Sequence, residues 1–290
     1  MSDIRAVAVV LISVFTGLLA CDGGKNQPVR DPEGQSELSA ERKANIRRFW
    51  EVYRKAGDKT QGGDWAAAAV LYREALALDP GHEDTLYNLG NVLFDLRKYD
   101  EAITAWRKLA NVNPLSTRAY IQLGAIYSCS APDAPFDLAL AEQAFSQAMA
   151  LNKEETGPLL KLGEVFLLSG RKHRALNHFE MAVRSNFRSV EAYYLIGYLK
   201  WLGRERDAAL EALAQAVRFS REQPVGMGEG DTKSKGFKPI LSGGVSVKSF
   251  FAPHWMALET WAGEKVTLSQ MAEEYGKLDI RLKSFVEGRM

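Results

Sequence analysis

The chain has 290 residues, 46% of them apolar and 25% charged, enough to bury a sizeable core and outside the range of disordered or fibrous chains. Lysine plus arginine total 37 against 36 aspartates and glutamates, so no overall field selects nucleic acid or an acidic partner. Two cysteines, Cys21 and Cys129, and four scattered histidines argue against a disulfide framework and against a metal site; no metal and no cofactor are expected.

Arg5 opens an uncharged run from Ala6 to Ala20 (AVAVVLISVFTGLLA), shorter than the ~20 residues that span a bilayer as a helix. It reads as the apolar core of a signal peptide over residues 1–20, with Asp3 a departure from the usual basic start. The run ends in Leu18-Leu19-Ala20-Cys21, which resembles the lipobox of bacterial lipoproteins: Leu three residues before the cysteine and a small residue just before it. The resemblance implies cleavage ahead of Cys21 and lipidation of that residue, giving a protein anchored in the bacterial cell envelope, on the periplasmic face of a membrane if the cell is Gram-negative. Several acyl chains, at ~0.8 kcal/mol per buried methylene, anchor stably where one is marginal. Asp22 resembles a signal for inner-membrane retention. Residues 21–38 are mostly Gly, Pro, Gln, Asn and charge, the composition of a disordered tether.

A helix is expected from Ser39 to Ala56, carrying Arg42, Lys43, Arg47, Arg48, Arg54 and Lys55 close to the tether. These charges form either a solvated face or a surface for anionic headgroups.

The same pattern then recurs: large apolar residues around a small one, then Ala, an aromatic, Ala or Leu, and a turn. The cleanest copy runs from Glu83 to Ser116 with Leu86, Leu89-Gly90, Leu93, Tyr99, Ala102, Trp106, Leu109 and Pro114. A copy from Phe49 has Ala56, Gly63, Trp65, Ala68, Tyr72, Ala75 and Pro80; one from Thr117 has Leu123-Gly124, Tyr127, Ala141, Phe145 and Ala148. Copies from Thr156 (Leu162-Gly163, Phe179, Ala182) and Val190 (Ile196-Gly197, Ala209, Leu213, Ala216) follow, with Phe187 where a proline is expected. Starts at 49, 83, 117, 156 and 190 are 34, 34, 39 and 34 apart; the five extra residues fall within Ser130 to Phe136, where Pro132 and Pro135 force a loop.

This array resembles the tetratricopeptide repeat (TPR), which implies an all-α superhelix of about five repeats over residues 39–223, stacked because no helix pair buries both its apolar sides alone. Catalytic residues are not expected: His82, His173, His178 and His254 do not cluster, and Glu142, Glu154 and Glu164 read as solvated faces. The resemblance places a peptide or helix site in the concave groove lined by the first helix of each pair. Its groove positions fall on Tyr87, Asn91, Phe94 and Asp95, then Ile121 and Ser128, then Leu160 and Glu164, then Tyr194, Tyr198 and Trp201. Asn91 matches an asparagine of the carboxylate clamp of some such domains and Gln122 falls where a second asparagine sits; Lys161 alone offers a basic counterpart, so a full clamp is not expected.

Beyond Gln223 the period is lost. Residues 224–250 are irregular and rich in Gly, Lys and Ser, a segment that lies in the groove or orders on a partner. Gly226, Gly228 and Gly230 follow a helix and not a strand, and Leu241-Ser242-Gly243-Gly244 stands without a Walker A lysine, so nucleotide binding is not expected. Residues 251–290 read as capping helices: a short aromatic one, then one opened by a Thr267/Gln270 capping box. The second carries a stripe of Leu268, Met271, Tyr275, Leu278, Leu282 and Phe285, which serves either as a lid on the last repeat or as a coiled-coil seam in a homodimer. The sequence thus describes a membrane-anchored adaptor for other envelope proteins or peptides; the alternative is a structural or assembly subunit of an envelope complex held through its C-terminal helix.

Overall fold

The computed structural model describes residues 32–153, 155–222, 249–261 and 265–289. Two compact units divide the chain, residues 1–44 and 45–290. The signal segment, Cys21, Asp22 and most of the expected tether lie outside the described residues, as do residues 223–248.

Helix α1 runs Pro32–Gln61 and so begins before Ser39; residues 32–38, expected as tether, are helical. Proline suits the first position of a helix, where its missing N–H costs nothing, and Glu33, Gln35, Glu37 and Leu38 are good helix formers. The array continues with α2 (Trp65–Leu78), α3 (Glu83–Asp95), α4 (Tyr99–Val112), α5 (Thr117–Tyr127), α6 (Leu138–Leu151), α7 (Thr156–Leu168), α8 (Lys172–Ser185), α9 (Val190–Leu202) and α10 (Arg206–Glu222). Each helix packs on the next, giving five helix pairs whose expected starts at 83, 117, 156 and 190 are the first residues of α3, α5, α7 and α9. The loop expected between Ser130 and Phe136 is present between α5 and α6.

The period exists because each pair solves one packing problem in the same way. The small eighth residue of the first helix accepts the ring carried by the second: Trp106 lies against Gly90, Phe145 against Gly124 and Phe179 against Gly163. A methyl at Gly124 would stand 2.7 Å from the Phe145 ring, inside van der Waals contact. Tyr72, Trp106, Phe145 and Phe179 are all fully buried. The turn inside a pair uses a left-handed residue at one position, Gly63, Arg97, Gly170 and Arg204 with φ of 75°, 60°, 73° and 65°. At the two arginines that conformation costs roughly 1–2 kcal/mol.

The fifth pair breaks the rule, since Leu213 replaces the aromatic. Here the hydroxyl of Tyr275 sits over Gly197 instead, delivered by the C-terminal region. That region forms α11 (Ala252–Met256), a 3₁₀ turn (Ala257–Thr260) and α12 (Leu268–Glu287), the last opened by the expected capping box. Met271, Tyr275, Leu278 and Leu282 are buried to the same degree as the repeat core, while Leu268 is exposed. The core of the stripe is therefore buried within the chain as a lid, and among the described residues of α12 the large apolar groups left exposed are Leu268 and Ile280.

Candidate functional site

The groove positions separate into a filled half and an open half. At the fifth repeat, the Tyr194 hydroxyl donates to Glu274 Oε1 (2.7 Å), Tyr198 donates to Asp279 Oδ1 (3.0 Å), and the Tyr275 hydroxyl donates to the Tyr194 carbonyl (3.1 Å). The Tyr275 ring centroid lies 5.5 Å from Tyr194, 5.8 Å from Tyr198 and 6.1 Å from Trp201. Tyr194 and Tyr198 are fully buried, and burial together with the facing carboxylates raises both phenols far above their ordinary range. Burial pushes Glu274 up as well, but hydrogen bonds with His254 and Tyr194 outweigh it and hold the carboxyl below its usual value. These three aromatic positions are thus in contact with α12.

At the fourth repeat, Lys161 Nζ lies 2.9 Å from Glu164 and 3.1 Å from Glu191 of the next pair, with all three side chains largely withdrawn from solvent. Ser249 donates to the other oxygen of Glu164 and so ties the C-terminal region to α7. Glu164, expected on a solvated face, is 4% exposed; burial, with Glu191 adding to it against Lys161, pushes its carboxyl up to about 8. The reason is tertiary, since Glu191 and Ser249 come from elsewhere in the chain. Glu142 pairs with Arg171 at 2.6 Å, Glu154 lies outside the described residues, and Leu160 is half-buried.

At the third repeat the inserted loop clasps the end of α12. Arg289 donates to the carbonyls of Ser130 (3.4 Å) and Ala131 (2.6 Å), its guanidinium lies 5.2 Å from the Phe136 ring centroid, and Phe136 meets Phe285 edge-on at 5.4 Å. The five-residue insertion was visible in the spacing; its partner, about 150 residues away, was not.

The remaining positions lie on and just after α3 and α5, in the second and third pairs. Tyr87, Asp95, Ile121 and Ser128 are half-buried. Gln122 Nε2 donates to the Tyr87 hydroxyl (2.9 Å), and Arg118 stacks 5.0 Å over the Tyr87 ring while pairing with Asp84 at 2.6 Å. Asn91 is 5% exposed, and among the described residues neither its amide nitrogen nor its amide oxygen has a hydrogen-bond partner; Gln122 Oε1 is in the same position. Such orphaned groups cost ~1–3 kcal/mol each. Phe94 points the other way, into the core beside Tyr99 and Trp106. Sequence reasoning passed over Tyr53, whose hydroxyl accepts from Asn88 Nδ2 at 3.1 Å and which burial and Asp84 push up to about 12, and over Arg118; Tyr53 sits one pair-spacing before Tyr87, and Arg118 three residues before Ile121. Lys161 is engaged by two carboxylates, so the clamp lacks its basic arm.

Among the described residues no group of three or more His, Cys, Asp or Glu side chains is placed to hold a metal ion. A cleft of about 550 Å³ separates the inserted loop from the outer face of α12, with Ser130, Phe250, Ile280 and Arg281 on its walls.

Helix pairs of this length, packing a ring onto a small residue once per repeat, define a tetratricopeptide-type α-solenoid. Tetratricopeptide-repeat family models match residues 60–125 and 160–224. Human tetratricopeptide repeat protein 13 is 26% identical over 122 residues, a stretch that is 42% of this chain and only 14% of that protein. Among solved structures, the crystal structure of MamA is similar at 25% identity and a TM-score of 0.52, covering 58% of this chain and 95% of that one. MamA residues 41 to the end from Desulfovibrio magneticus RS-1 align at 16% identity and a TM-score of 0.53, covering 61% and 97%, a likeness of fold.

Proposed function

We propose that the chain is a protein-interaction adaptor of the bacterial envelope, anchored through acylated Cys21, which holds a peptide or helix of another envelope protein on the concave face of its first three helix pairs. The observation that carries this reading is the orphaned Asn91 amide beside the Tyr87–Gln122–Arg118 cluster. Withdrawn from solvent as it stands, the amide is reached by a partner that displaces its neighbours; its N–H donors and its carbonyl then suit the backbone of an extended segment, and aromatic walls with a nearby guanidinium suit its side chains. The other end of the groove is filled by α12, which confines a partner to the first three pairs.

The rival reading is a structural subunit held by its C-terminal stripe; with Met271, Tyr275, Leu278 and Leu282 buried inside the chain, it would rest on the exposed Leu268 and Ile280. A photocrosslinker at position 121 in living cells is expected to trap a partner, and Tyr87→Ala with Asn91→Ala to abolish the product while leaving the helical signal intact. Undiminished crosslinking in that variant would refute the site. The anchor is tested separately: metabolic labelling with palmitate should mark the wild-type protein and not Cys21→Ala, and equal labelling of the two would refute acylation.

A further inference from the structure

Of the seven basic residues on α1, Arg47 and Arg54 share a side of the helix with two exposed apolar residues. Phe49, Val52, Ala56 and Thr60 face the array and are buried. On another side, Ile46, Trp50 and Arg54 follow at intervals of four, with Arg47 three before Trp50 and seven before Arg54, a single stripe. Ile46 is 50% exposed and Trp50 47%, two large apolar groups one turn apart, and Arg47 and Arg54 are exposed. Arg48 is drawn away to Glu74 (3.0 Å) and Lys55 to Glu51 (2.7 Å), whereas no carboxylate of the described residues forms an ion pair with Arg47 or Arg54. The adjacent acid, Glu51, lies four residues after Arg47 and is paired with Lys55, and Arg54 Nε donates to the Trp50 carbonyl at 3.3 Å, which leaves the rest of its guanidinium outward.

We propose that this stripe of α1 is a docking surface for an anionic lipid bilayer. Trp50 between two arginines that face no carboxylate in an ion pair, with Ile46 beside the first, matches the headgroup layer in two respects at once. The indole and the aliphatic chain enter the acyl boundary, while the guanidinium groups reach phosphates on their flexible stems. An acidic protein surface would use the charges but would leave Ile46 and Trp50 without a role. The inference does not depend on acylation of Cys21, and it sets the first helix pair against the membrane.

The test uses the full chain with Cys21→Ser, so that acylation is excluded, and flotation with phosphatidylcholine vesicles containing or lacking phosphatidylglycerol. Any contribution of the apolar run 6–20 is common to both vesicles, so their difference reads the stripe. Tighter binding to the anionic vesicles is expected, weakened roughly 5-fold for each arginine replaced in Arg47→Gln and Arg54→Gln, since each charge near such a surface contributes ~1 kcal/mol. Trp50→Ala should weaken binding to anionic vesicles, and a control pair on α8, Lys172→Gln with Arg184→Gln, should leave it unchanged. Equal binding to the two vesicles, or an equal loss in the control pair, would overturn the proposal. So would capture of soluble polyglutamate as strong as that of anionic vesicles and indifferent to Trp50→Ala, which would assign the stripe to an acidic protein.

Discussion

Tyr275→Ala is the substitution that most directly tests whether α12 belongs to the solenoid or rests in its groove as a displaceable ligand. Tyr275 is fully buried, its hydroxyl donates to the Tyr194 carbonyl at 3.1 Å, and it fills the notch over Gly197 that Leu213 leaves open. Truncating a core aromatic to alanine costs about 3–5 kcal/mol, and the single hydrogen bond contributes about 1 kcal/mol of that, so Tyr275→Phe should cost only the smaller amount. Guanidinium titration followed by far-ultraviolet circular dichroism measures the loss, and hydrogen exchange of α9 amides locates it. In a linear array the damage should spread from the fifth pair while the first pairs keep their protection. A loss below about 1 kcal/mol with unchanged α9 protection would show α12 to be an adsorbed segment, and the reasoning that removes Tyr194, Tyr198 and Trp201 from the binding surface would fall with it.

Asn91→Leu should stabilise the array by up to about 1–3 kcal/mol, because it removes two buried groups without partners, and should abolish crosslinking from position 121; thermal melting that shows destabilisation would mean the amide serves the fold. Glu164, held near 8 in the fold by burial and Glu191 against an ordinary value near 4.5, binds a proton in the native state that the unfolded chain releases. Its stabilising contribution is therefore complete below about pH 4.5 and is lost as pH rises through about 8, of order a few kcal/mol, and Glu164→Gln should flatten the pH dependence of the unfolding midpoint between those limits. Gly124→Ala drives a methyl into the Phe145 ring and should cost about 1–3 kcal/mol in equilibrium unfolding, whereas Gly57→Ala, with open space around its Cβ direction, should not.

The repeat architecture was legible in the residues because one contact, a ring on a glycine, recurs in the second, third and fourth helix pairs and imposes its own spacing. Gly90 with Trp106 and Gly163 with Phe179 are sixteen residues apart, close enough for the pattern to appear in a linear chain. The site was less legible. Groove positions carry the same residue types whether the groove is open or filled, and Tyr194 meets Glu274 and Tyr275 across some eighty residues with no periodic relation. Glu164 shows the same limit: its burial depends on Glu191 in the next pair and Ser249 beyond the array.

What the chain's own residues settled, then, is the all-α solenoid, the start of each pair, the inserted loop, the capping box and the apolar stripe of α12, since all of these are local or periodic and are fixed by helix geometry. Tertiary packing alone determined which groove residues stay accessible, which arginines on α1 lack a carboxylate, and that Phe136 and Ser130 hold the last turn of the chain. Those outcomes depend on contacts between segments far apart in sequence, where the identity of each residue restricts its environment but does not specify its neighbour.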